Sequence, residues 1–393
     1  MVSGSTDLLQ VPWETIIKLY RRARDGKVFP SLSEHADDLF KFIKERRGDY
    51  FPAEVQRDAI RALVESVYWE LQNQVEKWIE SPAKQQRPSP ESIRAFTDTT
   101  VDGFSRYLSD HDFLDGWGPD DATTVRTEYE SDFARTRDEV FDHRCLSAET
   151  ADLLISIGVD LTVRRHPFAD KSVVVVAGYG EGELFPSLKT FDVQGVAMNR
   201  LLCKPSRYVV ISREKGGDIA AFAQTDMVDT FTTGVDPDYQ GYIEKLVGKT
   251  LAGLPGAVAS ATPGLYARVR GALEAALERA TSNMVEELRR GIDDYKRQNH
   301  SGPVQKTVEF LPKEEMAQLA EALVNLTSMK RRVTEVPETV GGPVDVAVIS
   351  KGDGFVWVQR KHYFDPILNP RIIGKYYRDA GTTPTTSYRK ETE

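Results

Sequence analysis

The sequence predicts an α+β protein whose strands are mostly antiparallel and lie between helical layers. Three observations lead there. Residues 1–80 carry apolar side chains at helical spacing. Residues 151–222 carry short, apolar, β-branched runs one after another, without a helical pattern between them, which favours an antiparallel sheet over a doubly wound parallel one. Helical spacing then returns, and the chain closes on two β-rich runs joined by Asp-Gly.

Pro12-Trp13-Glu14 reads as a helix start, because proline is tolerated in a first turn, with Ile16, Ile17, Leu19 and Tyr20 as the apolar face and Asp25-Gly26 as the stop. Ser31 or Ser33 can cap a second helix that buries Leu39, Phe40, Phe42 and Ile43. After Phe51-Pro52, the residues Val55, Ala59, Leu63, Val67, Leu71 and Val75 recur every four positions and predict a long amphipathic helix reaching Trp78 and Ile79. Ser81-Pro82 stops it, and 81–90 reads as an exposed linker. Residues 91–150 are polar, broken by Gly116, Gly118 and Pro119, and read as an irregular or helical excursion.

Strands are expected at 153–157, at 172–177, from Leu188 to Gly195, at 208–212 and at 219–222. A helix of about 30 residues follows from Leu265, Val269, Leu273, Leu277, Met284, Leu288, Ile292 and Tyr295. Another begins at Pro312 with Met316, Leu319, Ala320, Leu323, Val324 and Leu326 inward. The last element is a hairpin, Val344 to Ile349 and Phe355 to Val358, about the turn Lys351-Gly352-Asp353-Gly354. From Asp379 the chain is small and polar and is expected to be disordered. The resulting organisation is 1–80 as a first helical layer, 81–150 as a polar insertion, 151–360 as the remaining strands and helices, and 361–393 as a C-terminal extension.

Composition narrows the function classes. The 393 residues suffice for two domains or one domain with an insertion. The formal charge of −9 disfavours sequence-independent nucleic-acid binding, which needs a basic face. Two distant cysteines, Cys145 and Cys203, make neither a disulfide framework nor a four-thiolate zinc site. The most apolar run, Val173 to Ala177, is far shorter than the roughly 18 residues of a spanning helix. The first seven residues do not read as a signal peptide. A soluble cytoplasmic protein is the expectation, with no membrane and no nucleic-acid partner.

The local motifs favour structural readings. Gly178-Tyr179-Gly180-Glu181-Gly182 follows a strand, but the dinucleotide fingerprint needs Gly or Ala where Glu183 stands, and a helix where Phe185-Pro186 stands. A hairpin turn is the better reading. Asp110-His111-Asp112, with Asp115, reads as a polar turn capping a helix rather than a metal site. His143 and Cys145 are two ligands at most and no zinc site. Lys361-His362-Tyr363 after Arg360 reads as a solvated strand end, and Lys330-Arg331-Arg332 as a helix C-terminus complementing its dipole. There is no Gly-x-Ser-x-Gly elbow. No catalytic, cofactor-binding or metal residue is assigned from the sequence.

Two stretches resemble a known family. Val173 to Gly180, then Phe185-Pro186-Ser187-Leu188 and Asp192-Val193-Gln194-Gly195, resemble the central hairpin of proteasome subunits. Gly341 to Ile349 with Gly354-Phe355-Val356-Trp357, preceded by the helix from Pro312 to Asn325, is similar to the last hairpin of the same fold. Gly4-Ser5-Thr6-Asp7 and Pro12 to Ile17 resemble a strand end leading into the fold's first long helix. The resemblance covers 1–80 and 151–360 and is nearest to an uncharacterised bacterial proteasome-like group. It implies an N-terminal-nucleophile hydrolase fold with four layers, helix-sheet-sheet-helix, and a family activity of peptide or amide hydrolysis within an oligomer.

In that family a threonine, less often serine or cysteine, stands at the mature N-terminus with its own α-amine as base, and an aspartate and a lysine follow on the first strands. This sequence opens past that region. Thr6 is preceded by five residues, and loss of Met1 would expose Val2, which has no nucleophilic atom. No catalytic residue is carried over. Ser212, Asp226 and Thr230 lie where the family keeps supporting polar groups, without a motif that fixes them.

Three readings follow: a shortened gene product or misassigned start of a proteasome-like hydrolase, inactive as it stands; a non-catalytic structural or binding subunit; and an unrelated helical and β protein. Loss of the first strands would leave open sheet edges, so self-association or poor solubility is expected.

Overall fold

The computed structural model describes residues 1–24, 26–81, 88–141, 146–261, 263–334, 344–360, 365, 367–371 and 374, with backbone alone at 47, 259 and 263–274. It is a mixed α+β structure with antiparallel sheets. The chain divides into two compact units, Met1–Lys215 and Gly216–Glu393.

The first unit opens with β1 (Val2–Gly4), then β2 (Asp7–Leu8) and β3 (Val11–Pro12), a small hairpin turning through Leu9 and Gln10 at positive φ. Next come α1 (Trp13–Ala23), α2 (Leu32–Glu45), the single turn α3 (Arg47–Tyr50) and α4 (Ala53–Ile79). Pro12 precedes α1 as expected, and Ser31 rather than Ser33 caps α2, its hydroxyl accepting from Glu34 N–H at 3.3 Å. After α5 (Pro90–Ser109), α6 (Pro119–Val140) and α7 (Ala148–Val163) come β4 (Ser172–Gly178), β5 (Ser187–Ala197) and β6 (Arg200–Val210). The polar stretch after residue 90 is therefore helical. The sheet runs β1-β4-β5-β6, antiparallel throughout, with Val174 opposite Phe191 and Val193 opposite Cys203.

Two cores hold this unit. In one, Trp13, Ile16, Phe40 and Ile43 of α1 and α2 pack on Val174, Phe191 and Val193 of the sheet. In the other, Val64 and Tyr68 of α4, Val101 and Leu108 of α5, Phe133 of α6 and Leu154 and Leu161 of α7 meet in a helical bundle. Trp78 stacks on Phe96 with ring centroids 4.4 Å apart, fixing α5 against the end of α4.

Several expectations are corrected here. Leu153-Leu154-Ile155-Ser156-Ile157 is the middle of α7, not a strand. A helix buried on most of its circumference is apolar nearly all round, so its sequence loses the 3.6 period. The α4 stripe is met in its second half: Val67, Leu71 and Val75 are buried, while Val55, Ala59 and Leu63 are half-buried and Gln56, Ile60, Val64 and Tyr68 complete the buried face. Steps of four run ahead of a 3.6-residue turn, so a stripe drawn in fours starts at the rim of the buried face and reaches its centre only from Val67 on. β6 begins eight residues before the expected Tyr208 because Leu201 and Leu202 pair with Val196 and Gly195 across a turn. Its Pro205 is tolerated because β6 is an edge strand.

The second unit contains α8 (Asp226–Thr233), α9 (Pro237–Ala252), α10 (Leu254–Ala261), α11 (Pro263–Lys296), a π turn at Arg297–Ser301, α12 (Gly302–Phe310), α13 (Lys313–Val333), β7 (Val346–Ser350) and β8 (Gly354–Gln359). Residues 219–222 are not a strand; this alanine-rich stretch has no pairing partner among the described residues. The long helix expected from Leu265 to Tyr295 is α11, but Met284 and Tyr295 on its stripe are 52 % and 59 % exposed. In α13 only Leu323 of the six residues expected inward is fully buried, joined by Ala317 and Thr327. The terminal hairpin forms as read, with Gly354 at φ +69°, a conformation that disfavours a Cβ. Among the described residues no helix is long and apolar enough to cross a membrane.

Candidate functional site

The glycine-rich segment 178–182 is the connection of the β4–β5 hairpin, as the bland reading had it. Gly180 lies where a Cβ would stand 2.3 Å from Pro30 O, so only glycine fits. Glu183, the residue that spoils the dinucleotide fingerprint, has a role the sequence did not reveal. Its carboxylate accepts N–H bonds from Gly180 at 2.6 Å and from Leu32, the first residue of α2, at 3.1 Å. A carboxylate thus already sits at the helix N-terminus nearest this loop.

The Asp110–Asp115 segment is a helix-ending turn. Asp110 caps α5, His111 Nδ1 bonds Tyr107 O at 2.7 Å, and Asp115 pairs with Arg165 at 2.5 Å. Among the described residues no three His, Cys, Asp or Glu are grouped to hold a metal. His143, Cys145 and Lys361-His362-Tyr363 lie outside the described residues. Arg360 sits over the Trp357 ring at 5.0 Å.

Of the polar residues that the resemblance brought into view, Ser212 accepts from the N–H groups of Glu214 and Lys215, each at 3.2 Å. In the second unit, Asp226 pairs with Lys330 at 3.0 Å and Arg331 at 3.5 Å, and Thr230 donates to Asp226 O at 2.7 Å. Lys330 also reaches Asp236 at 3.5 Å. Burial works against the ionised Asp226, but the Lys330 hydrogen bond and charge outweigh it and hold its carboxyl below the usual range. The basic end of α13 thus pairs with acidic residues at the starts of α8 and α9, in addition to any complement to its own dipole.

Among the described residues, a crevice and a groove are the other candidates. In the first unit a crevice of about 10 Å³, room for one water, is lined by Asp115, Trp117, Asp192, Gln194, Cys203 and Lys204. Its carboxylates are both paired, Asp192 to Lys171 at 2.8 Å and Asp115 to Arg165. Burial pushes the Cys203 thiol up to about 12, so it is not a ready nucleophile at neutral pH.

The second unit holds the larger feature, an open groove of about 660 Å³ between α8, α12 and α13. Phe231, Val304, Val308, Leu311, Leu319 and Ala322 give it apolar walls, with Glu315 and Gln318 also lining it. Its size is that of a ligand or side-chain binding cleft, and its chemistry is contact with an apolar surface rather than proton transfer. The sequence reading placed Leu319 and Leu326 inward without separating this face from the buried one. The signal that distinguishes them is the alternation of three- and four-residue steps through 319, 322, 326, 329 and 333. Comparison of the chain with protein-family models, curated proteins and solved structures returns no match.

Proposed function

We propose that this chain carries the body of a proteasome-like N-terminal-nucleophile hydrolase, a family of peptide- and amide-bond hydrolases, and that on its own it is inactive. The observation that carries the reading is the β4–β5 hairpin: the segments that resemble the family's central hairpin pair antiparallel from Ser172 opposite Val193 to Gly178 opposite Ser187. The order α13, β7, β8 supports it at the other end of the chain. On this reading the four-stranded sheet is one of two stacked sheets in a helix-sheet-sheet-helix sandwich, with α1 and α2 in an outer layer. The protein is cytoplasmic, associates with copies of itself, and takes neither cofactor nor nucleic acid.

A second reading, a non-catalytic structural or binding subunit of a proteasome-like assembly, is favoured by the commitments of Ser212, Asp226 and Thr230 to backbone bonds and ion pairs. Thr6 is likewise a mid-chain residue whose carbonyl accepts from Trp13 N–H at 3.1 Å.

Two experiments test these readings. The purified chain is incubated with peptide substrates and with an electrophile selective for N-terminal threonine, then weighed by mass spectrometry; no turnover and no adduct are expected, and covalent labelling overturns inactivity. The coding sequence upstream of Met1 separates the readings. An in-frame segment encoding a threonine followed by aspartate and lysine on β-rich runs supports the hydrolase, and an in-frame stop beside Met1 leaves the subunit reading alone.

A further inference from the structure

We infer that α13 is a self-docking helix: it pairs antiparallel with α13 of a second copy, each inserting its C-terminal apolar residues into the groove of the other. The inference deepens the self-association reading by naming its surface, and it rests on the geometry of the second unit alone. Leu319, Ala322, Leu326, Met329 and Val333 follow the three-four spacing of a helix-pairing seam over two heptads. The first half of the seam lines the groove, beside Phe231, Val308 and Leu311. The second half stands in solvent, with Leu326, Met329 and Val333 exposed by 42 %, 65 % and 77 %. One helix therefore carries both a concave apolar receptor and a projecting apolar stripe.

A two-fold axis satisfies both at once, because each copy offers the other what it lacks. With the axis near residue 324, Leu326 of one copy lies opposite Ala322 of the second and Met329 opposite Leu319, the layer pattern of antiparallel helices. Val333 then reaches the end of the groove marked by Glu315. Charge selects the same orientation. The first turn of α13 carries Glu314 and Glu315, and the last carries Arg332 beside Lys330 and Arg331, whose charges Asp226 and Asp236 already meet, so antiparallel pairing sets an acidic end against one that keeps a net positive charge and brings opposite helix-dipole ends together, whereas parallel pairing aligns like ends.

The test is the mass of the full chain by light scattering and sedimentation between about 1 and about 100 μM, the range in which a modest interface is read. A dimer is expected. Met329→Glu should weaken it by about tenfold or more, and Met329→Leu should keep it. Asn325→Cys, an exposed position beside the seam near the axis, made in a Cys145→Ser, Cys203→Ala background, should be linked across the dimer by a short bis-maleimide, while that background alone gives no linked dimer. If Met329→Glu loses its far-UV circular dichroism, Glu315→Lys replaces it and should also weaken the dimer. A dimer untouched by these substitutions overturns the α13 surface and leaves self-association standing. A monomer at every concentration overturns both, and the groove then belongs to a different partner.

Discussion

The carboxylate of Glu183 accepts the backbone N–H of Leu32, tying the β4–β5 connection to the first turn of α2 across 151 residues of sequence. With its second bond, from Gly180 N–H, it serves two backbone donors in a part-buried site, one of them at the start of a helix. Glu183→Ala should cost about 1–3 kcal/mol in urea unfolding, and Glu183→Gln, which keeps an acceptor but loses the charge, should cost less. Equal stabilities for the parent and Glu183→Ala would refute the assignment.

His166 should make stability fall in mild acid. The ring is buried, with Nε2–H donating to Leu161 O at 2.7 Å and Nδ1 accepting from Phe168 N–H at 3.3 Å, which is the neutral form. Burial lowers its pKa from the ordinary 6.5, partly opposed by the Leu161 bond. Below about 6.5 the unfolded chain therefore binds a proton that the folded chain refuses, and stability drops as pH falls toward the depressed folded value. Urea unfolding at about pH 7.5 and about pH 5.5 should show the loss, and His166→Gln should reduce that difference. An unchanged difference in the variant would assign the acid sensitivity elsewhere.

The elements with local signals were legible in the sequence. Pro12, Ser31 and the Asp-Gly turn at 353–354 announced α1, α2 and the last hairpin because caps and turns are set by nearby backbone chemistry. The buried helix α7 was misread because the helical period vanishes when neighbours surround the element, a tertiary fact that residues 153–157 do not encode. The same limit applies to the candidate groove. Leu319 and Leu326 lie on one face and Leu323 on another, and which face meets α8 depends on where Asp226 meets Lys330, 104 residues apart. Glu183 was visible only as a defect in a motif, because its partner α2 is distant in sequence.

Gln56 should be among the most sensitive polar positions. It is 2 % exposed; its amide nitrogen donates to Phe51 O at 2.7 Å and to Asn199 Oδ1 at 3.0 Å, and its oxygen accepts from Asn199 N–H at 2.8 Å. Asn199 and Met198 both have positive φ in the two-residue turn between β5 and β6, so Gln56 clamps α4 to a strained hairpin. Gln56→Leu leaves buried backbone groups without partners and should cost about 2–4 kcal/mol. Asn199→Gly, which relaxes the turn and removes a single side-chain bond, should cost less. Urea unfolding of both variants ranks them, and the reverse order would put the importance in the turn rather than in the clamp.

Gly158 sets two opposing effects against each other. It stands inside α7, where alanine would gain about 1 kcal/mol of helix propensity. A Cβ there would lie 2.8 Å from the ring of Phe133, which is completely buried between α6 and α7. The bundle is closed on both sides of this contact, by Tyr129 and by Leu154, so the ring has little room to move. Overpacking of this kind costs about 1–3 kcal/mol and should win, leaving Gly158→Ala less stable than the parent by up to about 2 kcal/mol. Phe133→Leu alone should also destabilise, by opening a cavity. Combined, the added methyl enters the space vacated by the ring, so the double variant should lose less than the sum of the two single losses, and a double-mutant cycle measures the difference. Strict additivity would mean that the Gly158–Phe133 contact does not set the spacing of α6 and α7.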